Sequence, residues 1–359
     1  MSREDRIAAS IAKAISTEQS SKKQPVYSRF LIAIASFFAL FSLRFVRFRD
    51  DLFRDLRSQI WLLDESSYLQ SFESRESLVA KGDMGYSGST FFSTNDDRFL
   101  VKSVPRRFEN SFFRNDLLVP YVDHVKAHQG SLLVRILDFL CWRYTSLGGI
   151  LGLAPTHHIV MENLALGKDQ ATEQGEGKWE AFDLKPEDYF FPERDIAGGN
   201  LSSEATKARL VDKFDGKIVL THAQADGFMA QLEQDTKLLE QCNAVDYSLF
   251  LIRIPKHQDP FADDAQHDEA PMPPQEAPLV PSPPPTWRTG IESADGKYVF
   301  RAVVLDFFWA KHKVQAKLFT LLIKGWNLID RQGPMSITTT PDEYRTRFLK
   351  MCSHIIEAR

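Results

Sequence analysis

Between Pro255 and Pro285 ten of the chain's 18 prolines stand among Asp259, Asp263, Asp264, Asp268, Glu269 and Glu276. Proline fixes φ and offers no backbone donor, and like charges repel, so nothing in this run can bury a face; it reads as a solvated linker. Strand-like runs flank it, Ser248 to Ile254 before and Lys297 to Asp306 after. Phe300-Arg-Ala-Val-Val-Leu-Asp306 is too little to start a new domain, so an insertion inside one sheet is preferred to a domain boundary. The fold must then close one sheet across residues 255–296. With 359 residues, 43% of them hydrophobic, the chain has enough apolar side chain for a full core in two lobes or two small domains.

A total of 44 Lys+Arg against 48 Asp+Glu gives a formal charge of -4, which argues against nucleic acid as a partner and confines any basic surface to a local patch. Cys141, Cys242 and Cys352 are too widely spaced for a disulfide framework or a zinc site and suggest reduced thiols in an intracellular compartment. The nine histidines show no metal-ligand spacing. Phe30 to Ser42 (FLIAIASFFALFS) is uncharged, strongly apolar and flanked by Arg29 and by Arg44, Arg47 and Arg49. It is shorter than the roughly 18 apolar residues of a membrane span and lacks the form of a secretory signal. A buried or dimer-forming helix is the first reading, an interfacial anchor the second and a true span the last.

Residues 1–27 read as a polar, exposed arm, Ser20-Ser-Lys-Lys-Gln-Pro25 above all. Phe53, Leu56, Ile60 and Leu63 share one helical face, and Asp64 is placed to cap a second short helix through Tyr68. From Gly82 to Val104 the period falls to two, predicting a hairpin that turns at Asn95-Asp96-Asp97. A helix near Phe108–Lys126, strands near Leu132–Tyr144 and Thr156–Asn163, a helix near Thr221–Gln241 and a closing amphipathic helix within Thr340–Glu357 complete an α+β pattern.

The glycine turn Gly85-Tyr-Ser-Gly-Ser89 before a strand lysine, Lys102, is an arrangement in which backbone N–H groups approach phosphate oxygens and an ammonium neutralises them. Most glycine hairpins are only turns, and the GxxxxGK[ST] pattern of the phosphate-loop ATPases is absent. A carboxylate sits at each of two further apolar runs: Asp246 in Val245-Asp-Tyr-Ser-Leu249 and Asp306 in Val303-Val-Leu-Asp306. Such an aspartate can hold Mg²⁺ or orient a hydroxyl, and it caps a turn just as often. Together these are the parts of a phosphoryl-transfer site.

In order and spacing the chain resembles the phosphatidylinositol phosphate kinases, of the phosphatidylinositol 4-phosphate 5-kinase kind, from Phe53 to Ile355 outside the proline-rich insert. The landmarks are the glycine loop leading without a gap to Lys102, Phe53-Arg-Asp-Leu-Arg57 with Tyr68-Leu-Gln-Ser71, and Tyr121-Val-Asp-His-Val-Lys126 with Ser131-Leu-Leu133. Val160-Met-Glu-Asn-Leu164, Phe182-Asp-Leu-Lys185, Glu240 with Val245-Asp-Tyr-Ser-Leu249, Leu305-Asp306, and Pro341 with Tyr344 and Arg347-Phe348 continue the series.

The resemblance implies a two-lobed, SAICAR-synthase-like α+β kinase fold, distantly similar to protein kinases, with ATP and Mg²⁺ as cofactors. Residues 1–43 would be an N-terminal arm and apolar helix, 44–254 the N-lobe and the first part of the C-lobe, 255–296 the insertion and 297–359 the rest of the C-lobe. Gly85, Ser87, Gly88 and Ser89 would cover the ATP phosphates, Lys102 would contact them and Glu109 would orient that lysine. The stretch holding Met161 and Asn163 would line the adenine. Asp246 would stand near the attacking inositol hydroxyl, Asp183 and Lys185 would serve the phosphates, and Asp306 would hold Mg²⁺.

The family's DLKGS reads Asp183-Leu-Lys-Pro186-Glu187 here, Tyr86 replaces the loop lysine, Phe308-Trp309 replaces Leu-Gln, and Ile252 and Ile254 replace Gly and His. ATP-side and metal-side residues survive while substrate-side chemistry is altered, so a weakly active or inactive membrane scaffold stays open. Phe307 to Ile329 has no carboxylate after Asp306 and interleaves Lys311, Lys313, Lys317 and Lys324 with Trp309 and Trp326. That suits an element lying in an anionic headgroup layer, the competing reading being a core helix with snorkelling lysines. In the resembled family this region selects the lipid at a glutamate or alanine; Leu318 here matches neither. If the segment is buried, a soluble inositol-phosphate kinase becomes the reading. The partners so implied are a phosphoinositide-containing anionic membrane and a second copy of the chain, and the location is cytoplasmic and peripheral at membranes, the plasma membrane first.

Overall fold

The computed structural model describes residues 2–17, 26–81, 89–173, 178–186, 214–256, 285–310 and 340–359. The chain opens with α1 (Arg3–Ser16), which corrects the reading of residues 1–27 as an exposed arm. Ser2 accepts from the Asp5 amide while the Asp5 carboxylate accepts from the Ser2 amide, and Ile7, Ile11 and Ile15, four residues apart, are buried in one stripe. The stripe was easy to miss because only small alanines accompany it.

Next come α2 (Val26–Phe37), β1 (Phe45–Arg47) and α3 (Asp50–Asp55), which runs on into a π turn over Leu56–Ile60, and then α4 (Glu65–Gln70). Phe53 and Leu56 are buried and Ile60 and Leu63 half-buried, as the helical face predicts. Asp64 caps α4 by accepting from the Ser67 amide at 2.7 Å, an interaction worth about 1 kcal/mol. The fully buried Arg57 reaches Glu65 at 2.7 Å, while Asp138 accepts from Arg47 Nε at 2.8 Å and from the Tyr68 hydroxyl at 3.0 Å. This ionic knot fastens the helical preface to the sheet behind it.

That sheet adds β2 (Leu78–Ala80), β3 (Phe91–Thr94), β4 (Phe99–Ser103), β5 (Ile136–Trp142) and β6 (His157–Glu162) in the order β1-β5-β6-β4-β3-β2. β3 and β4 are the hairpin expected around Asn95–Asp97, with Asp97 at φ 53°. α5 (Arg107–Phe112), a π turn over Phe113–Leu117 and α6 (Leu118–Ala127) cover one face. The pleat sends successive residues to opposite sides. Phe91, Phe139 and Ile159 enter the larger core and Phe92, Leu140 and Val160 a smaller one shared with α1. The short helices α7 (Leu147–Ile150) and α8 (Lys168–Glu173) flank β6.

The second half contains β7 (Glu180–Leu184), β8 (Ile218–Leu220), α9 (His222–Gln241), β9 (Ala244–Val245) and β10 (Ser248–Pro255). Beyond the proline-rich run follow β11 (Ile291–Glu292), β12 (Tyr298–Leu305), β13 (Trp309–Ala310), α10 (Pro341–Ile355) and β14 (Ile356–Ala358). β10 and β12 pair antiparallel along their whole length, Ser248 opposite Leu305 and Pro255 opposite Tyr298, in a sheet of order β11-β12-β10-β7. Val304 bonds to Leu132 and Val134 through backbone groups at 2.7 and 3.0 Å, joining this sheet to the chain entering β5. The mixed α+β architecture expected from the sequence is the one found.

Candidate active site

Two short ladders set the geometry. The β10–β12 ladder ends at Ser248 opposite Leu305, and a second ladder resumes with Val245 of β9 opposite Trp309 of β13. Between them the chain must bulge, and it does so at Asp246 and Asp306, both left-handed at φ 70° and φ 62°. Aspartate tolerates that conformation better than most residues. The bulge puts both aspartates at one end of the sheet. β7 contributes there too, because Leu184 lies opposite Leu249 and so Lys185 follows at the same end.

Lys102 arrives from the other sheet, on β4 between Phe91 and Ile159. Its ammonium donates to Asp306 Oδ1. Lys185 donates to Asp246 twice, to the carboxylate at 3.1 Å and to the backbone carbonyl at 3.0 Å. Lys102 from β4 and Lys185, Asp246 and Asp306 from the ends of β7, β10 and β12 thus meet as two ion pairs.

The charges tune one another. Desolvation in this protein-dense cleft acts to raise the Asp306 carboxyl, but the positive charges of Lys102 and Lys185 outweigh it, and the group lies below its usual range. Asp183 keeps solvent contact, yet desolvation by the surrounding protein and the negative Asp306 hold its carboxyl above the ordinary value despite Lys185. One carboxylate is thus kept ionised while its neighbour is eased toward the acid form.

The expected Lys102–Glu109 pair is not the one formed. Glu109, on α5, accepts from Arg106 at 2.9 Å, while Lys102 reaches Asp306. Burial raises the Glu109 carboxyl, with Arg106 and then Lys102 pulling it down. Arg106 was missed in the sequence, although Pro105-Arg-Arg107 just before Glu109 was a visible signal. It also stacks its guanidinium 5.6 Å from the Trp309 ring.

Met161 is buried in β6, opposite Leu100 of β4 and Ile136 of β5. The Asn163 side chain donates to the Asp97 carbonyl at 2.6 Å and accepts from the Ala165 amide at 3.1 Å, fixing the β3–β4 turn to the segment leaving β6. Ser89 is buried; Gly85, Ser87 and Gly88 lie outside the described residues, as do Glu187, Lys311, Lys313, Lys317, Lys324 and Trp326. Trp309 is not a membrane-facing side chain: it is buried with Phe307 and Phe308 and meets Phe108 edge-on at 4.6 Å.

Among the described residues no group of three or more His, Cys, Asp or Glu is arranged to hold a metal ion. A Mg²⁺ that arrives with nucleotide phosphates needs only one or two carboxylates. The ionised Asp306 fits that need.

The family model for phosphatidylinositol-4-phosphate 5-kinase matches residues 72–355. The chain belongs to this family. Phosphatidylinositol 4-phosphate 5-kinase 9 of Arabidopsis thaliana is 26% identical over 216 residues, covering 57% of this chain and 23% of that protein. A probable phosphatidylinositol phosphate kinase of Dictyostelium discoideum is 28% identical over 174 residues, covering 46% of this chain and 21% of that protein. Phosphatidylinositol 4-phosphate 5-kinase-like protein 1 of Homo sapiens is 28% identical over 182 residues, covering 48% and 39%. The chain therefore spans about a quarter of the plant relative's length. Lys102, Asp183, Lys185, Asp246 and Asp306 all fall inside the family match.

Proposed function

We propose that this chain transfers the γ-phosphoryl group of ATP to the inositol ring of a phosphatidylinositol phosphate at an anionic membrane surface. The observation that carries the reading is the meeting of Lys102, Lys185, Asp246 and Asp306 at one end of the β10–β12 sheet in a member of this family. In this reading residues 44–254 and 297–359 form a two-lobed kinase around the insertion. Lys102 and Lys185 position and neutralise phosphate oxygens, residues Gly85 to Ser89 are assigned to covering them, and Glu109, ion-paired with Arg106, acts on Lys102 through its charge. Met161 and Asn163 belong to the strand and link that back the nucleotide.

Asp246 orients the attacking ring hydroxyl, and Asp183 serves the phosphates together with Lys185. Asp306 holds Mg²⁺, which when bound supplies charge neutralisation at the phosphates. Most of the catalysis is then positioning and electrostatics, as phosphoryl transfer demands. Lys311, Lys313, Lys317, Lys324 and Trp326 are assigned to headgroup contact, each lysine worth about 1 kcal/mol near an anionic surface. A cytoplasmic protein peripheral at the plasma membrane fits these assignments.

The test is transfer of label from γ-labelled ATP to a panel of phosphoinositides in vesicles, with free inositol phosphates beside them. Labelling of one or more phosphatidylinositol phosphates is expected. Labelling of the free inositol phosphates alone would replace the lipid substrate by a soluble one. A second reading, a scaffold with little turnover, is favoured by Pro186-Glu187 in place of the family's Gly-Ser, and it predicts vesicle binding with no labelling of anything.

A further inference from the structure

A surface helix ordinarily sets its apolar stripe against the core. Along α2 and the turn after it the reverse holds. Tyr27, Leu31, Ile34 and Phe38 recur at α-helical spacing on one face, and they are 74%, 47%, 43% and 66% exposed, while Ser36 is buried. The first reading of Phe30–Ser42, a buried or dimer-forming helix, is corrected by this in its buried half. Phe37 and Leu40 are exposed as well, and the Phe37 and Phe38 rings meet edge-on at 5.4 Å.

The apolar face continues onto a second element. The Gly148 amide donates to the Ala39 carbonyl at 3.1 Å, and a β-carbon at Gly148 would stand 1.7 Å from the Leu40 carbonyl oxygen. Only glycine lets α7 press this closely on the end of α2. The turn after α7 then adds the exposed side chains of Ile150, Leu151 and Leu153.

The two chain segments that build the face carry one sign of charge. From Val26 to Arg49 and from Phe139 to Met161 the sequence has no Asp or Glu. Arg44 and Arg143 are exposed and side by side, the Arg143 amide donating to the Arg44 carbonyl at 2.6 Å. A second copy docked on this face would bring its own arginines to the interface and no carboxylate from these two segments to pair with them. An anionic lipid surface complements both the apolar face and its cationic edge. The 12 residues of α2 reach about 18 Å, short of the roughly 30 Å hydrocarbon core, and no described helix is long and apolar enough to cross a membrane. The helix must lie in the plane of the interface.

We propose that α2 and the turn after α7 form an apolar wedge that enters the headgroup–acyl boundary of an anionic bilayer, with Arg44 and Arg143 on lipid phosphates. The wedge uses none of the lysines after Ala310, and it does not depend on turnover.

The test is co-sedimentation of the full chain with phosphatidylcholine vesicles, with and without about 30% phosphatidylserine. The chain with Phe38→Ser and Leu151→Ser should keep its melting temperature, because these side chains are 66% and 64% exposed, and lose at least tenfold in partitioning with its salt dependence retained. Arg44→Gln with Arg143→Gln should lose roughly tenfold and flatten the salt dependence. Both sets of losses should persist when Lys311, Lys313, Lys317 and Lys324 are all glutamine, which separates the wedge from that segment. Unchanged partitioning of both variants overturns the proposal, as does a parent that binds neither vesicle. If the serine variant instead halves the solution mass and leaves vesicle binding intact, the face belongs to a second copy and the proposal fails.

Discussion

Lys102 on β4 and Asp306 at the end of β12, 204 positions apart in sequence, hold each other in an ion pair that joins the two sheets. A second pair, Lys185 with Asp246, stands beside it and links the ends of the neighbouring strands β7 and β10 of one sheet. Each cation assigned to phosphate is therefore matched to a carboxylate assigned to metal or substrate, and both partners have to be replaced together when a nucleotide and its cation bind.

That exchange predicts a cooperative ligand effect. ATP alone would draw Lys102 away and set its phosphates against an unpaired Asp306, and Mg²⁺ alone would leave Lys102 unpaired. Melting temperature should rise with Mg-ATP, by mass action, well beyond the sum of the shifts from ATP with chelator and from Mg²⁺ alone. Lys102→Met should remove the Mg-ATP shift. Additive shifts would break the link between the two partners.

Glu109 gives a stability prediction with a definite sign. Its carboxyl titrates above the ordinary 4.5 in the native protein, so the native state binds that proton more tightly than the unfolded chain does. The ionised form therefore destabilises the fold at pH values above the raised native pKa, and the penalty disappears as pH falls below 4.5. Glu109→Gln should raise the melting temperature at pH 7, with a gain that shrinks in acid, and should lower activity if Glu109 supports Lys102. Melting curves between pH 4 and pH 8 read the first and turnover the second.

His157 and His158 lie on β6, where burial lowers them from 6.5 to about 4 and about 3 respectively. A base whose native pKa is depressed leaves stability intact above its unfolded pKa and removes it as pH falls from 6.5 toward the native value. At pH 5 each residue should cost about 2 kcal/mol. His158→Leu, which keeps its packing on Phe45 apolar, should roughly halve the loss of stability between pH 7 and pH 5 in urea titrations.

Asp138 tests the buried knot that ties the helical preface to the sheet. It is fully buried and accepts from Arg47 and Tyr68, with Arg57 at 3.5 Å. Asp138→Ala would leave two buried guanidinium groups short of a partner and should destabilise by about 3–5 kcal/mol. Chemical denaturation checks the figure.

How much of this was legible depended on whether the signal was local. Asp64 as a cap, the Asn95–Asp97 turn and the helix after Thr221 were readable because capping and turn chemistry act within a few residues. Lys102, Asp246 and Asp306 stood out as candidates from their places on apolar runs and from the family resemblance. Their pairing was not readable, since it arises from two ladders that break and resume around Asp246 and Asp306, a matter of register between strands about 60 residues apart. The Arg47–Arg57–Asp138 knot was hidden for the same reason: an arginine on a helix reads as solvated until its partner arrives 81 residues later. The exposed stripe of α2 inverted the usual rule that apolar faces turn inward, and the uncharged run Phe30 to Ser42 offers no charged face to mark the solvent side.

The most direct test of the central claim is transfer of γ-phosphate to phosphatidylinositol phosphate vesicles by the wild-type chain, Asp246→Asn and Asp306→Asn, each shown to be folded by a cooperative unfolding transition above the assay temperature and a wild-type circular dichroism spectrum. Removing a positioned acid-base group or a metal ligand should lower kcat by two orders of magnitude or more in each variant. Near-normal turnover in both would show that the cleft where Lys102 meets Asp306 is not where the chemistry occurs.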